Sequence, residues 1–292
     1  MHLHEEKGEQ SRIGIVFFIN FTFTIIEFIG GYLTNSTAIM ADAIHDLGDS
    51  LSIGASWFLA RYSNKRPSEE YSYGYRRFSL LAALINAIVL IVGSVFVLVE
   101  SIPRLSNPQM PLVQGMFFLA LVGVLVNGYA AYKLSTGKTL NERVLNWHLL
   151  EDVLGWLTVL VLSIVLYFFN WPILDPILSI AFTVFIVFNV FRNLFKTIRL
   201  FLQAVPDIKE INALKASLLK LTHVVDIHKV HIWSLDGEHH VFTAHLVLDN
   251  YISYDKHSAL KQSISDILSK DQFLYTTIEF EFLAEKCRDS SS

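Results

Sequence analysis

His45 and Asp49 stand four residues apart, and His148 and Asp152 repeat the spacing, each pair inside an otherwise apolar stretch. At that spacing an imidazole and a carboxylate share one helix face, with Cβ atoms about 5–6 Å apart. The stretches, STAIMADAIHDLGDSLSIGASWF and VLNWHLLEDVLGWLTVLVLSIVLYFF, are apolar enough to enter lipid. A carboxylate at mid-bilayer costs roughly 2.5–3.5 kcal/mol on insertion scales, so such groups are rare and mark function. Two helices meeting along these faces would bring together two imidazoles and two carboxylates, a tetrahedral zinc shell. With a dication that set is neutral, and a neutral, fully ligated ion enters a low-dielectric region at less cost than a hydrated one. Nitrogen and carboxylate donors suit zinc and its neighbours better than Mg2+ or Ca2+, which take all-oxygen shells. On a helical wheel Asp42, Asp46 and Asp49 fall on the arc of His45, so the pattern leaves the choice among them open. Glu151 shares an arc with His148 and Asp152 in the same way.

Composition bounds the elements that carry these residues. The 292 residues are 52% hydrophobic and 17% charged, with a mean hydropathy of +0.43. Soluble domains average about 25% charged residues, so the balance points to membrane. The apolar excess lies in residues 12–200, whereas 206–285 read as an ordinary soluble domain. A net charge of −4 gives no reason to expect a nucleic-acid partner. Cys287 is the only cysteine, so neither a disulfide framework nor a thiolate metal site is expected. The opening MHLHEEKGEQSR lacks a basic n-region, so no cleaved signal peptide is expected.

Six segments are long enough to span a hydrocarbon core of about 30 Å, near 12–34, 37–60, 79–100, 112–133, 144–169 and 173–195. Breakers such as Asn35-Ser36, Pro67, Pro103 to Pro111, Gly137 and Asn170-Trp171-Pro172 separate them. Arg61, Lys65, Arg66, Arg76 and Arg77 fill the second connection; Lys133, Lys138 and Arg143 fill the fourth. Arg192, Lys196 and Arg199 close the sixth segment, while the opposite side holds only Arg104. The positive-inside tendency then puts both termini and the soluble domain in the cytoplasm.

Beyond Pro206 the periodicity predicts a helix over 207–221, strands over 228–235 and 241–248 joined by an Asp236-Gly237-Glu238 turn, a helix over 254–268 and a strand over 276–282. That order makes a small α/β sandwich. It holds His223, His228, His231, His239, His240, His245 and His257 with Glu279 and Glu281, and alternation can gather several on one sheet face, so a metal site is expected here. His2, His4, Glu5 and Glu6 read as a tail, Glu27 as an acid near the membrane site, and Asp175-Pro176 as a helix start.

The chain resembles the cation diffusion facilitator family. The resemblance rests on Ala41-Asp42-Ala43-Ile44-His45-Asp46-Leu47-Gly48-Asp49, on His148 and Asp152, on Tyr73-Gly74-Tyr75-Arg76-Arg77, and on His231-Ile232-Trp233-Ser234-Leu235. It implies a homodimeric divalent-metal/proton antiporter: six transmembrane helices and a metallochaperone-like (ferredoxin-like) α/β cytoplasmic domain. It carries over His45, Asp49, His148 and Asp152 as the transport site, of the zinc type because histidine leads both pairs. In the cytoplasmic domain His228, His245 and Glu279 look like the family's dimer-interface ligands. The 2–3 connection, NKRPSEEYSYGYRR, has no histidine, so the family's auxiliary site there is not assigned. The 4–5 connection is short and lacks the His-rich insertion of many eukaryotic members, which favours a bacterial-type efflux carrier of the cell (inner) membrane.

The expected organisation is an N-terminal tail (1–11), a six-helix membrane domain (12–200), a cytoplasmic domain (206–285) and a C-terminal tail (286–292). The expected function is export of Zn2+, with Cd2+, Co2+ or Ni2+ also possible cargoes, in exchange for protons; zinc doubles as a structural or regulatory ion of the cytoplasmic domain. The partners are divalent metals, protons, lipid and a second copy of the chain. Two rivals are a membrane-embedded metalloenzyme and a metal sensor. The spans contain neither a His-Glu-x-x-His motif nor repeated His-rich boxes, and a sensor leaves a four-ligand site at membrane depth unexplained.

Overall fold

The computed structural model describes the chain except residues 1, 64–66, 136–139, 207, 250–251, 269–272 and 290–292, and except the side chains of 2–13, 56–57, 59–63, 134, 140–145 and 209–210. Lys65, Arg66 and Lys138 therefore lie outside the described residues, as do the side chains of His2, His4, Glu5, Glu6, Arg61 and Arg143. The chain divides into two units, Met1–Phe195 and Lys196–Ser292.

The first unit is helical: α1 (His2–Thr34), α2 (Thr37–Ser63), α3 (Phe78–Ser106), α4 (Val113–Ser135), α5 (Leu140–Phe168) and most of α6 (Leu174–Phe201). Five of them carry windows long and apolar enough to cross a membrane: Gly14–Thr34, Phe78–Ser106, Val113–Lys133, Asn146–Phe168 and Leu174–Phe201. The sixth, α2, has 27 residues, but Asp42, Asp46 and Asp49 interrupt its apolar run. Large apolar side chains such as Phe18, Ile29, Val92, Phe118, Leu125 and Phe185 point outward. In water such a surface would aggregate; in lipid it is the solvent-facing coat.

α1 packs on α2 and α4, α2 on α3, and α4 on α5, with α2 also meeting α5. Small residues permit the close approach that lipid-embedded helices need in place of a hydrophobic drive. A Cβ on Gly48 would meet Leu90 of α3 at 2.5 Å, and one on Gly93 would meet Ile44 of α2 at 2.7 Å, so α2 and α3 interlock reciprocally. Gly123 of α4 lies flat against the indole of Trp156 in α5. Buried polar groups tie the remaining contacts: Asn20 Nδ2 donates to Ser50 Oγ at 3.1 Å, between α1 and α2.

Asp175 is a helix-start residue, as expected, with a second part besides. It does sit in the first turn of α6, but its carboxylate accepts from Ser36 Oγ (2.6 Å), Thr37 N and Oγ1 (both 2.8 Å) and Ala38 N. It thus caps α2 from another helix, satisfying N–H groups that a helix start leaves unpaired. Ser179, one turn further along α6, donates to Thr37 O at 2.9 Å and pairs with Ser101 of α3 at 2.9 Å.

The second unit contains α7 (Ile208–Leu218), β1 (Val224–Ser234), β2 (His240–Leu248), α8 (Tyr254–Leu268) and β3 (Phe273–Phe282). Its sheet has the order β1-β2-β3, with β1 antiparallel and β3 parallel to β2. A full ferredoxin-like unit runs β-α-β-β-α-β; among the described residues a helix opens this one and the sheet has three strands. Leu214 and Leu218 of α7 and Leu260, Ile264 and Leu268 of α8 pack on Phe242, Ala244, Leu246 and Leu248 of β2. Alternation sends His245 of β2 to the other face. Gly237 takes φ +104° in the β1–β2 turn, where Asp236 Oδ1 accepts from the N–H groups of Glu238 (2.9 Å) and His239 (2.7 Å).

Candidate metal centres

The helical unit assembles its cluster from two faces. In α2, His45 Nδ1 stands 3.5 Å from Asp49 Oδ2, and from α5 His148 Nε2 reaches the same oxygen at 2.9 Å. The two imidazole rings lie 5.8 Å apart, nearly perpendicular. Donor atoms of His45, Asp49 and Asp152 all lie within 4.8 Å of one another. Three side chains from two helices thus form a compact donor group, and His148 adjoins it through Asp49. Asp152 is buried, and neither of its oxygens has a hydrogen-bond partner. Buried carboxylates are normally satisfied, so the open Asp152 beside the His/Asp contact makes a donor set that suits a divalent cation.

Of the residues the sequence left open, Glu151 is 75% exposed and reaches His148 Nδ1 only at 3.8 Å. Asp42 and Asp46 are buried, each with an unpartnered oxygen, but neither joins the compact donor group. Glu27 of α1 is fully buried, beside the carboxyl groups of Asp46 and Asp42. The cluster is thus backed by further carboxylates, which a lone Glu in an apolar segment hints at only weakly.

The soluble unit gathers a second cluster on the sheet face away from its helices. β-register pairs His228 with His245 and His245 with Glu279 across the three strands. A bulge between His228 and His231, with Lys229 at φ 49°, re-aims the start of β1. His245 Nδ1 contacts Glu281 Oε1 at 2.6 Å, and His228 Nε2 lies 3.1 Å from Glu281 Oε2 without hydrogen-bond alignment. Cys287, in the segment after β3, brings its Sγ to 3.5 Å from His245 Nδ1. Donor atoms of His228, His245, Glu281 and Cys287 all lie within 4.8 Å of one another.

Glu279 sits differently from its expected place: Arg288 binds its carboxylate at 2.9 Å, and it reaches His245 Nε2 only at 3.8 Å. Cys287 enters a group from which a single cysteine had seemed excluded; no local pattern in the sequence marks it. The other histidines have structural partners or solvent. His223 meets Asp249 (3.0 Å), His239 meets Asp236 (2.8 Å), His240 and His257 meet Phe273 and Phe280 edge-to-face, and His231 is exposed. Burial alone would raise the Glu281 carboxyl, but hydrogen bonds to His245 and Cys287 and the nearby imidazoles hold it below the usual carboxylate range. Partial burial, reinforced by Glu281 and Asp289, pushes the Cys287 thiol up.

A helical membrane unit with a buried His/Asp cluster, followed by a small α/β unit, defines a class of membrane metal carrier. Residues 13–202 match the cation efflux transmembrane domain, and residues 206–282 match the cytoplasmic domain of cation efflux proteins. The chain is 32% identical to the zinc transporter ZitB of Pectobacterium atrosepticum, over 99% of this chain and 90% of that one. It is 29% identical to a cadmium, cobalt and zinc/H(+)-K(+) antiporter of Bacillus subtilis, over 96% and 91% of the two chains. The metal cation efflux system protein CzcD of Cupriavidus metallidurans is 27% identical, over 96% and 89%. The chain belongs to the cation efflux family, the cation diffusion facilitators: it is a multi-pass membrane transporter and not an enzyme.

Proposed function

We propose that the protein exports Zn2+ from the cytoplasm in exchange for protons, through a site of His45, Asp49, His148 and Asp152. In this reading α2 is the sixth transmembrane helix, residues 12–200 form the carrier, and residues 206–285 form a cytoplasmic regulatory domain of a homodimer in the cell (inner) membrane. The observation that carries it is the single oxygen of Asp49 shared between His148 Nε2 at 2.9 Å and His45 Nδ1 at 3.5 Å, with Asp152 open beside them. Two carboxylates and two neutral imidazoles cancel the charge of a divalent cation, which fits passage through a low-dielectric interior. The printed names of the relatives, zinc transporter and cadmium, cobalt and zinc/H(+)-K(+) antiporter, support the cargo and the exchange.

Zinc needs its imidazoles neutral, and imidazole ordinarily titrates near pH 6.5, so metal and proton compete for one site in the physiological range. Opened to an acidic exterior the site takes protons and releases zinc; opened to the cytoplasm it does the reverse. Rocking of the helices around a midplane site supplies the alternation. The excess of Arg and Lys in the second and fourth connections supports cytoplasmic termini. Purified protein in liposomes, loaded with zinc and given an inward or outward pH gradient, tests the reading. Zinc flux that follows the proton gradient is expected; flux indifferent to it, or none, overturns the exchange.

A further inference from the structure

We infer that Trp156 is the outer gate of the transport path: its indole seals the helical unit one turn beyond Asp152 and has to leave its seat for metal to exit. The inference deepens the proposed function. It rests on the reading that metal moves outward from the His/Asp cluster, with the α1–α2 and α3–α4 connections on the outer side.

Burial changes along α2 and α5. His45, Asp49 and His148 are half-buried, and Ser52 and Trp147, on the cytoplasmic side of them, are exposed. Toward the outer end, Asp152, Trp156 and Val159 of α5 are buried, and so is every residue of α2 from Thr37 to Ile44 except Met40. The cluster therefore lies at the inner margin of a closed region.

Trp156 occupies the middle of that region. It is fully buried, on the face of α5 that carries Asp152 and four residues further on, about 6 Å along the axis. Its indole lies on Gly123 of α4, where any Cβ would overlap the ring, and meets Phe23 of α1 edge-to-face at 5.5 Å. Ile39 of α2, Met116 and Ala120 of α4 and Val159 of α5 complete the layer, each fully buried. Four helices thus close on one point with side chains that offer a dication no donor atom. A dication stripped of its ligands does not cross such a layer, and apolar constrictions also exclude water.

The seal is built to release. Gly123 gives the ring a seat without an interlocking side chain, and the buried Trp156 Nε1 has no hydrogen-bond partner. An unsatisfied buried donor penalises the closed state, and the penalty disappears once the ring moves and water or a carboxylate reaches the N–H. The indole is held by fit alone. The rim above it is held by bonds: Arg104 Nη1 and Nη2 donate to Asn35 O and Oδ1, both at 2.8 Å, and Leu112 N donates to Thr34 O at 2.8 Å.

The test uses the full-length protein in zinc-loaded liposomes at equal pH inside and out. Trp156→Ala should let zinc leak at least about tenfold faster than the wild type, while the detergent-solubilised variant keeps its zinc affinity. Trp156→Phe keeps a ring over Gly123 and should stay as tight as the wild type. A residue that only packs would lower the melting temperature in both variants and open no leak in either. Should Trp156→Ala fail to fold, Phe23→Ala takes its place, loosening the seat with the indole present, and should give a smaller leak. Wild-type tightness in folded Trp156→Ala, or in Phe23→Ala where it stands in, overturns the gate. So does a Trp156→Phe leak as fast as that of Trp156→Ala. Exchange is read in the wild type under a pH gradient and the seal in the variants without one, so the two readings fail separately.

Discussion

The two clusters hold similar donors on different scaffolds. In the helical unit His45, Asp49, His148 and Asp152 project from α2 and α5, joined by side-chain contacts but by no backbone ladder. In the soluble unit His228, His245 and Glu281 ride on three strands whose backbones are hydrogen-bonded in fixed register. Helices packed through small residues and apolar surface can shift by fractions of a turn; neighbouring strands cannot shift without breaking their ladder. A cargo site has to release what it binds, whereas a sensing or structural site gains from holding on. On the proposed reading the helix-borne cluster suits the first task and the sheet-borne one the second.

Substitutions sharpen or break that contrast. The largest effect is expected from Asp49→Ala or Asp152→Ala, each of which leaves three donors and uncompensated positive charge around a bound dication. Zinc flux in liposomes should fall to background with the helical content retained; wild-type flux would remove these residues from the site. His45→Asp should be milder, keeping four donors while moving preference toward oxygen-favouring ions such as Mn2+. An unchanged metal profile in competition assays would show that His45 does not set selectivity.

Proton coupling comes next in size. Apparent zinc affinity at the helix-borne cluster should weaken as pH falls through the histidine range, and calorimetric heats should vary with the ionisation enthalpy of the buffer. Equal affinities at about pH 5.5 and 7.5 would favour a pH-independent path. At the sheet-borne cluster zinc should raise the melting temperature. A ligand that binds only the folded state contributes about 2.7 kcal/mol at a hundredfold excess over its dissociation constant. Sedimentation with and without zinc would test whether the metal also tightens a dimer.

The smallest effect concerns the β1–β2 turn. Asp236 is partly buried, which would raise its carboxyl, but the N–H groups of His239 and Glu238 and the His239 imidazole outweigh this and hold it below its ordinary value. Its stabilisation is therefore complete above the ordinary carboxylate pKa of about 3.9 and is lost as pH falls through the lower folded value. Asp236→Asn should cost about 1 kcal/mol at neutral pH and flatten the acid limb of the soluble unit's melting profile. An unaltered acid limb would exclude this contribution.

Much of this architecture is legible in the residues. The paired HxxxD spacing on two apolar segments anticipates a meeting of α2 and α5, and Asp236-Gly237 anticipates the hairpin turn. Helix α8 occupies the expected span, 254–268, because Leu260, Ile264 and Leu268 recur at helical spacing. Other features depend on partners far along the chain. β3 begins at Phe273 instead of residue 276 because β2 offers it a partner from His240 onward. β1 begins at Val224, four residues early, through pairing with Leu248 across a register shift. Glu279 and Glu281 have the same parity, so alternation cannot choose between them; Arg288, drawing Glu279 aside, distinguishes their settings. Cys287 carries no periodic signal, lying outside any helix or strand, and only the folded sheet brings His245 to it.

The clamp of Asp175 on the first residues of α2 has a mechanical consequence. It fixes one end of the helix as a fulcrum, with Ser179 and Ser101 bracing the same end. His45 lies eight residues beyond Thr37, a lever arm of about 12 Å at 1.5 Å per residue. A tilt of α2 by about 10° around that point carries His45 sideways by about 2 Å, the full length of a zinc–nitrogen bond. Coordination at the cluster can thus be made or undone by a rotation that leaves the anchored end, and the hydrogen bonds holding it, almost where they were.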